Sequence, residues 1–251
     1  MLLVLLGNGE DMNHEFLNGD ALNEILVDES IELFIMHPPY MGMDLERYSR
    51  PEKQINNVKN RKTFVKRLVK VTQNAEKALK PHGSILMLLP AQDAYLLADY
   101  LSTVAKKVKM MHVVTMIWSY NDKENANSIN PSYAYVVHLS KGMPRHDKEY
   151  INKHLTSILE FKSDPEELEK VYGSLAHVSD AMPLELAEHL IQMFSLEGDT
   201  VADLFGGTGT ISLAAETTGR NSVYNDISEV QLKLAKKRLA DFTSAKKRQK
   251  A

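Results

Sequence analysis

The sequence predicts an α/β fold, doubly wound around one mostly parallel sheet. Three stretches carry that expectation. Val201-Ala-Asp-Leu-Phe205 is an apolar strand that breaks into Gly206-Gly207-Thr208-Gly209 and opens a helix from Ile211 to about Thr218. Ser222–Asn225 is a second strand, ending at Asp226, 23 residues after Asp203. Ile31–Met36 is a third, running straight into His37-Pro38-Pro39-Tyr40. Fully apolar strands alternating with helical stretches are the pattern of a sheet covered on both faces.

The glycine turn has a definite chemistry. Gly206, Gly207 and Gly209 let the backbone approach a ligand and take positive φ without a Cβ penalty. The helix behind them offers unpaired N–H groups to an electronegative atom. An acid at the end of the following strand, here Asp226, is placed to accept from both ribose hydroxyls of an adenosine cofactor. A dinucleotide fingerprint would carry a third glycine where Ser212 stands, which argues against NAD.

Length and composition set limits on the rest. The 251 residues suffice for one α/β core with little left for a second domain. There is no cysteine, which excludes disulfides and thiolate metal sites, and the nine histidines show no ligand spacing, so no metal is expected. Met1–Leu6 is apolar but too short to span a bilayer and reads as a strand; a cytoplasmic protein with no membrane partner is expected. Charge is unevenly distributed. Residues 1–46 hold ten acids and no Lys or Arg, whereas residues 47–80 hold eleven bases against Glu52 and Glu76. Such a basic run, which includes Arg47, Arg50, Arg61, Lys62 and Lys66, is the footprint of a polyanion site.

The remaining elements follow in order. Ala21–Leu26 is helix-like and precedes the Ile31–Met36 strand. Two prolines at that strand's end stop the ladder and fix a rigid turn at the carboxyl edge of the sheet, where open α/β folds bind ligands. Met41–Lys59 is a polar segment expected to be a mobile loop over the site. Asn60–Leu79 is a helix with Phe64, Leu68, Val71, Ala75 and Ala78 on one face and Lys62, Lys66 and Lys70 on another. Gln92–Lys106 and Glu229–Phe242 are further helices, Pro165–Lys170 is a short acidic one, and 243–251 is a basic tail whose last few residues look disordered. Asn130-Pro-Ser-Tyr133 lacks a preceding strand and reads as a loop. Trp118 and Tyr120 sit at a strand end, where packing is the commoner role for an aromatic.

An apolar strand ending in Asp/Asn/Ser-Pro-Pro-Tyr/Phe is the catalytic motif of the DNA amino-methyltransferases, and His37-Pro-Pro-Tyr40 resembles it. The glycine turn resembles that family's S-adenosylmethionine loop, and the likeness covers nearly the whole chain. The order of the two motifs looks like the circularly permuted β-type arrangement. The implied fold is a Rossmann-like methyltransferase sheet, mostly parallel with an antiparallel edge strand, in a single domain over 1–251. Lys80-Pro-His-Gly83 resembles the family's turn into a core strand, and His112–Trp118 and Tyr133–Leu139 resemble its last two strands.

The resemblance implies S-adenosyl-L-methionine as cofactor and methyl transfer to the exocyclic amine of a DNA base, adenine N6 ahead of cytosine N4. His37, Pro38, Pro39 and Tyr40 take the catalytic positions. Asp20 and Ala21 match the cofactor-adenine position, His177 heads the helix 177–191 at the methionine end, and Asp203, Phe205, Gly207, Gly209, Thr210 and Asp226 complete the cofactor set. DNA is the expected partner, with a second copy of the chain as an oligomeric alternative. An RNA-base or protein-glutamine methyltransferase and a catalytically impaired DNA-docking subunit are the competing readings. This chain departs from the pattern in having His37 at the first catalytic position, Met182 where a lysine is usual before Pro183, and only a short segment at 143–176, where many relatives carry a target-recognition domain.

Chemically, an exocyclic amine is a weak nucleophile because its lone pair is delocalised into the base. Two acceptors, the His37 ring and the Pro38 carbonyl, would favour sp³ character, and Tyr40 would stack on the extruded base. Neutral imidazole offers one acceptor nitrogen, so His37 fills the role in one tautomer, with an expected pKa near 6.5.

Overall fold

Two long apolar strands, β2 (Ile31–Met36) and β3 (Leu79–Pro90), form the centre of the structure. The computed structural model describes residues 12–41, 51–119, 132–162 and 181–250. Successive strand residues point to opposite faces, and both faces here are apolar. Phe34, Met36, Ile85, Met87 and Leu89 enter one core layer; Leu33, Ile35, Leu86 and Leu88 enter the other. The first layer is covered by α1 (Arg61–Ala78) and α2 (Ala94–Lys107), through Phe64, Leu68, Leu96 and Tyr100. The second is covered by α4 (Leu184–Phe194) and α5 (Thr210–Thr217), through Leu186, Leu190, Ile211 and Ala214. The sheet is therefore wound on both sides, as expected.

The other strands are β1 (His14–Leu17), β4 (Met111–Ser119), β5 (Tyr133–Ser140), β6 (Ile158–Glu160), β7 (Thr200–Asp203) and β8 (Asn221–Asn225). Together the eight run in the order β1-β8-β7-β2-β3-β5-β4-β6. All neighbours are parallel except at β5, which opposes both β3 and β4. The reversed strand was expected at the edge; it lies third from it. Val136, Val137 and Leu139 are wholly buried, and such a strand gains most with both ladder edges paired, so β4 and the short β6 close the sheet outside it. The remaining helices are α3 (Lys148–His154) and α6 (Glu229–Lys250). No helix among the described residues is long and apolar enough to cross a membrane.

Several local expectations are corrected. Residues 21–26 form turns rather than a helix, because Asp20 Oδ1 accepts from Leu22 N–H at 2.9 Å and Asn74 Nδ2 donates to the carbonyls of Ala21 and Asn23, both at 3.0 Å. These bonds divert backbone groups a helix would need. The described part of the 41–59 segment does border the site, with Lys53, Gln54 and Ile55 on the cavity wall, and it is packed against the core. Ile55 joins the core, Gln54 and Asn56 are buried, and Arg67 Nη1 donates to the carbonyls of Gln54, Ile55 and Asn57. The helix α6 continues through the basic tail to Lys250, consistent with the helix-forming Ala, Lys, Arg and Gln residues there. Residues 1–6, Tyr120, the acidic helix at 165–170 and Asn130–Pro131 lie outside the described residues.

Candidate active site

The catalytic-type turn and the glycine turn meet because their strands are neighbours. β2 pairs with β7 in parallel, Leu33 opposite Val201 and Phe34 opposite Ala202. The residues following each strand therefore emerge side by side at the carboxyl edge. Between them lies a cavity of about 400 Å³, lined at one end by Gly207, Asp226 and Asp20 and at the other by His37, Pro38 and Tyr40.

The glycine turn is built from contacts its Cβ-less residues permit. Gly207 and Gly209 adopt φ of +49° and +80°. A Cβ on Gly206 would fall 2.2 Å from the Tyr224 ring, whose hydroxyl donates to the Gly207 carbonyl at 2.9 Å. A Cβ on Gly209 would fall 2.7 Å from that of Ala235. On Gly207 it would meet only the Phe205 carbonyl, at 3.8 Å. Gly207 thus presents bare backbone to the cavity, while Gly206 and Gly209 are filled from behind. Gly209 also begins α5 without a side-chain cap, leaving first-turn N–H groups beside the cavity.

Acids gather at this end. Asp226 accepts from Gly207 N–H at 2.9 Å on Oδ2 and from Ser228 N–H at 2.8 Å on Oδ1. Backbone N–H groups of Ser228, Gly207 and Ile227 all favour its charged form, so the group ties the turn in place and, with about four acceptor sites, still has capacity for a further donor. Asp203 accepts from Phe205 N–H at 2.8 Å. Burial, with Asp226 adding repulsion, pushes the Asp203 carboxyl up to about 8; burial also raises Asp226. Asp20, Ala21, Phe205 and Thr210 line the same cavity.

At the other end, His37 Nε2 lies 2.5 Å from the Tyr40 hydroxyl oxygen. The His37 ring is half-buried beside Tyr40 and edge-on to Trp118, with centroids 5.2 and 6.1 Å away. Desolvation lowers its pKa to about 4, not the 6.5 expected, so the ring is neutral at ordinary pH. Trp118 has the packing role: it is buried and its Nε1 donates to the Phe161 carbonyl at 2.9 Å. Asn56 Nδ2 donates to the Tyr40 carbonyl at 2.8 Å and so ties the 51–60 segment to the turn.

His177, Arg47 and Arg50 fall outside the described residues. The helix expected over 177–191 is described from Leu184 to Phe194, with Ala181 and Met182 preceding it on the cavity wall. Among the basic candidates, Lys62 and Lys66 are exposed. Arg61 is committed elsewhere: it pairs with Asp99 at 2.8 Å and Asp93 at 3.5 Å and lies 5.2 Å over the Tyr95 ring. Among the described residues no three His, Asp or Glu are grouped to hold a metal ion.

Sequence reasoning missed the residues that hold the site from behind. Asn225 is wholly buried and donates to the carbonyls of Gly19 and Leu204, both at 3.1 Å, joining the Asp20 loop to the glycine turn. Arg238, buried on α6, donates to Thr210 Oγ1 at 2.9 Å. A polar side chain closing an apolar strand was the available signal for Asn225; nothing local marks Arg238 among its neighbouring lysines.

Comparison with known proteins agrees with this geometry. A family model described as DNA methylase, covering N6- and N4-specific enzymes, matches residues 31–237. The Type II methyltransferase M.MjaI of Methanocaldococcus jannaschii is 26% identical over 86% of this chain and 88% of its own. The Type II methyltransferase M.MthZI of Methanothermobacter thermautotrophicus is 26% identical over 83% of this chain and 70% of its own. The fold is similar to that of the cytosine-N4-specific PvuII DNA methyltransferase, with a TM-score of 0.75 at 20% identity over 90% of this chain and 86% of that one. It is also similar to M1.HpyAVI in its SAM complex, with a TM-score of 0.64 at 18% identity over 90% and 98%. With the family match spanning both the catalytic-type turn and the glycine turn, the chain belongs to the DNA methylase family.

Proposed function

We propose that this DNA methyltransferase moves the methyl group of S-adenosylmethionine to the exocyclic amine of a DNA base, adenine N6 ahead of cytosine N4. The observation that carries the reading is the single cavity joining Gly207 and Asp226 to His37 and Tyr40. The residues fit the cofactor: Gly207 leaves room for close approach, Asp226 keeps acceptor capacity for a ribose hydroxyl, and Asp20 and Ala21 line the same cavity and would meet the adenine. When bound, the cofactor supplies an electrophilic methyl on a sulfonium.

The chain's own residues then prepare the acceptor. The Pro38 carbonyl and His37 Nε2 each accept from one N–H of the target amine and aim its lone pair into the cavity. Tyr40 stacks on the base and holds it out of the duplex. A pKa near 4 keeps His37 an acceptor across ordinary pH. It also suffices to take the proton that the methylated nitrogen must lose, because an ammonium conjugated to a base ring is a stronger acid. Proximity and fixed acceptors account for the catalysis.

A cytosine-N4 target is the second reading, favoured by the structural likeness to the PvuII enzyme. Nucleoside mass spectrometry of digested DNA from expressing cells tests both. N6-methyladenine is the expected product, N4-methylcytosine would exchange the target, and methyl groups found only in RNA or protein would overturn the DNA reading.

A further inference from the structure

The prolines of the catalytic-type turn restrain everything in it but the tyrosine. The rings of Pro38 and Pro39 fix their own φ and limit the residues before them, so the backbone is stiff from His37 to Pro39. Tyr40 comes after the last ring, and the residues that follow it, Met41 and Gly42, bring none. The structure restrains it from elsewhere. Asn56, 16 positions further on, donates from Nδ2 to the Tyr40 carbonyl at 2.8 Å; a carbonyl takes only a donor, so the contact fixes which way the amide faces. Asn56 is 4% exposed and is held from both sides. Arg67 Nη1 donates to the carbonyls of Ile55 and Asn57, both at 3.2 Å, and Val58 N–H donates to the Asn56 carbonyl at 2.8 Å. The Asn56 Oδ1 is buried with no hydrogen-bond donor among the described residues. An unpaired buried acceptor costs stability, so an asparagine at this position is explained by its donor, not by its packing.

We propose that Asn56 is a positioning residue for the target base: by pinning the Tyr40 peptide it sets where the Tyr40 ring stands when the extruded base stacks on it. This deepens the methyltransferase reading and rests on it. Pro39 fixes the chain before Tyr40 and Asn56 fixes the peptide after it, so the ring moves only about its own side-chain bonds. It can then leave His37 Nε2 and turn its face to the base without shifting the Pro38 carbonyl. Released from Asn56, Tyr40 would sample several backbone conformations, and the stacked base would reach the productive geometry less often. The loss falls on the step after docking, because phosphate contacts made elsewhere supply a large share of DNA affinity.

Asn56→Leu, which keeps the size and removes both polar atoms, tests this. On unmethylated genomic DNA its kcat should fall about three- to tenfold, the range of one neutral hydrogen bond, while DNA KM and the affinity for S-adenosylhomocysteine hold. In a Tyr40→Ala background the same substitution should change kcat little, since the ring it positions is gone. Trp118, the chain's one tryptophan, reports on the turn without DNA, because its ring is edge-on to His37 with centroids 6.1 Å apart. Its quenching by acrylamide should rise in Asn56→Leu while the thermal transition stays in place, the unpaired acceptor having been removed together with the bond. Unaltered kcat or unaltered quenching overturns the proposal. So does an equal kcat loss with and without the Tyr40 ring, a raised DNA KM at constant kcat, or weakened S-adenosylhomocysteine. A collapsed thermal transition would make Asn56 a scaffold residue and overturn it too. If the parent protein transfers no methyl group to DNA, the methyltransferase reading fails and the target-base role with it, and the parent alone tells that failure from the others.

Discussion

The Tyr40 hydroxyl oxygen sits 2.5 Å from His37 Nε2, so the ring nitrogen proposed to meet the target amine has an internal partner. Entry of a base must break this bond as Tyr40 turns its face to the incoming ring. Tyr40→Phe keeps the stacking surface and leaves Nε2 open, so DNA KM should fall or hold while cofactor affinity stays fixed. His37→Ala removes the acceptor and should cost about 2–4 kcal/mol in the single-turnover barrier, some thirty- to nearly a thousandfold in rate. Equal rates for His37→Ala and the parent would discard the acceptor role.

His37 also sets a pH expectation. With its pKa lowered to about 4, the ring is neutral from pH 8 to pH 5.5, so single-turnover methylation should show no acid limb near 6.5. The stability effect has a definite sign. The unfolded chain takes up the proton near 6.5 and the folded one only near 4, so the contribution of the neutral ring is present above 6.5 and fades as pH drops toward 4. A pH–rate profile beside thermal melts at pH 7, 5.5 and 4.5 checks both, and a rate midpoint near 6.5 would contradict the burial of the ring.

Asp203 should couple cofactor binding to proton release. Its carboxyl, pushed up to about 8 by burial and by Asp226, is neutral in the ligand-free protein at pH 7, and a cationic ligand favours its ionised form. Affinity for S-adenosylmethionine should therefore rise with pH up to about 8 and level off above it. Asp203→Asn should flatten the profile. Calorimetry in two buffers of different ionisation heat reads the proton count directly, and a count of zero at pH 7 would refute the coupling.

Substitutions in the glycine turn should separate fold from ligand. Gly206→Ala would drive a methyl into Tyr224 and should destabilise by about 1–3 kcal/mol, as overpacking does. Gly207→Val meets little protein, pays about 1–2 kcal/mol for its positive φ, and should lose at least tenfold in cofactor affinity because it fills the ligand's side of the turn. Asp226→Ala should lose both ligand and turn, since Asp226 also holds Gly207 and Ser228. Paired melts and calorimetry decide; a Gly207→Val variant that binds normally would remove the close-approach argument.

On the basic surface, Lys62 and Lys66 differ from Arg61. Replacing either lysine by Gln should lower the log–log salt slope of DNA binding by roughly 0.9. Arg61→Gln should leave the slope alone and instead loosen α1 from α2, because its guanidinium is spent on Asp93, Asp99 and Tyr95. An Arg61 slope change as large as that of Lys66 would reverse this division.

What the sequence made legible were the features encoded by neighbours along the chain. The strands show as unbroken apolar runs because both faces of the sheet are covered, and the turns show because Gly207, Gly209 and Pro38–Pro39 are locally constrained. Hidden features depended on distant partners. Arg61 looks like a free charge until Asp93 and Asp99 arrive from the next helix. Gln54 and Asn56 look like loop residues until Arg67 and Tyr40 bind them. The pKa of His37 follows from the packing that encloses it, and that packing has no signature in His-Pro-Pro-Tyr.

The pairing of β2 with β7 has a consequence for how the protein is made. Leu33 and Val201 are partners across 168 positions, and β8 slots between β7 and β1. On the ribosome, β2, β3, β4, β5 and β6 are all available to associate before the glycine turn has been synthesised, whereas β1 must wait for β8. Joining the halves is a late, high-contact-order event, and until it occurs the exposed flank of β2 is an open edge carrying the apolar Leu33–Met36 run. The catalytic-type turn therefore spends its early life on the most aggregation-prone part of the nascent chain. A rearranged gene that begins before Leu184 and joins residue 251 to residue 1 would deliver β7 and β8 ahead of β2 and close that window.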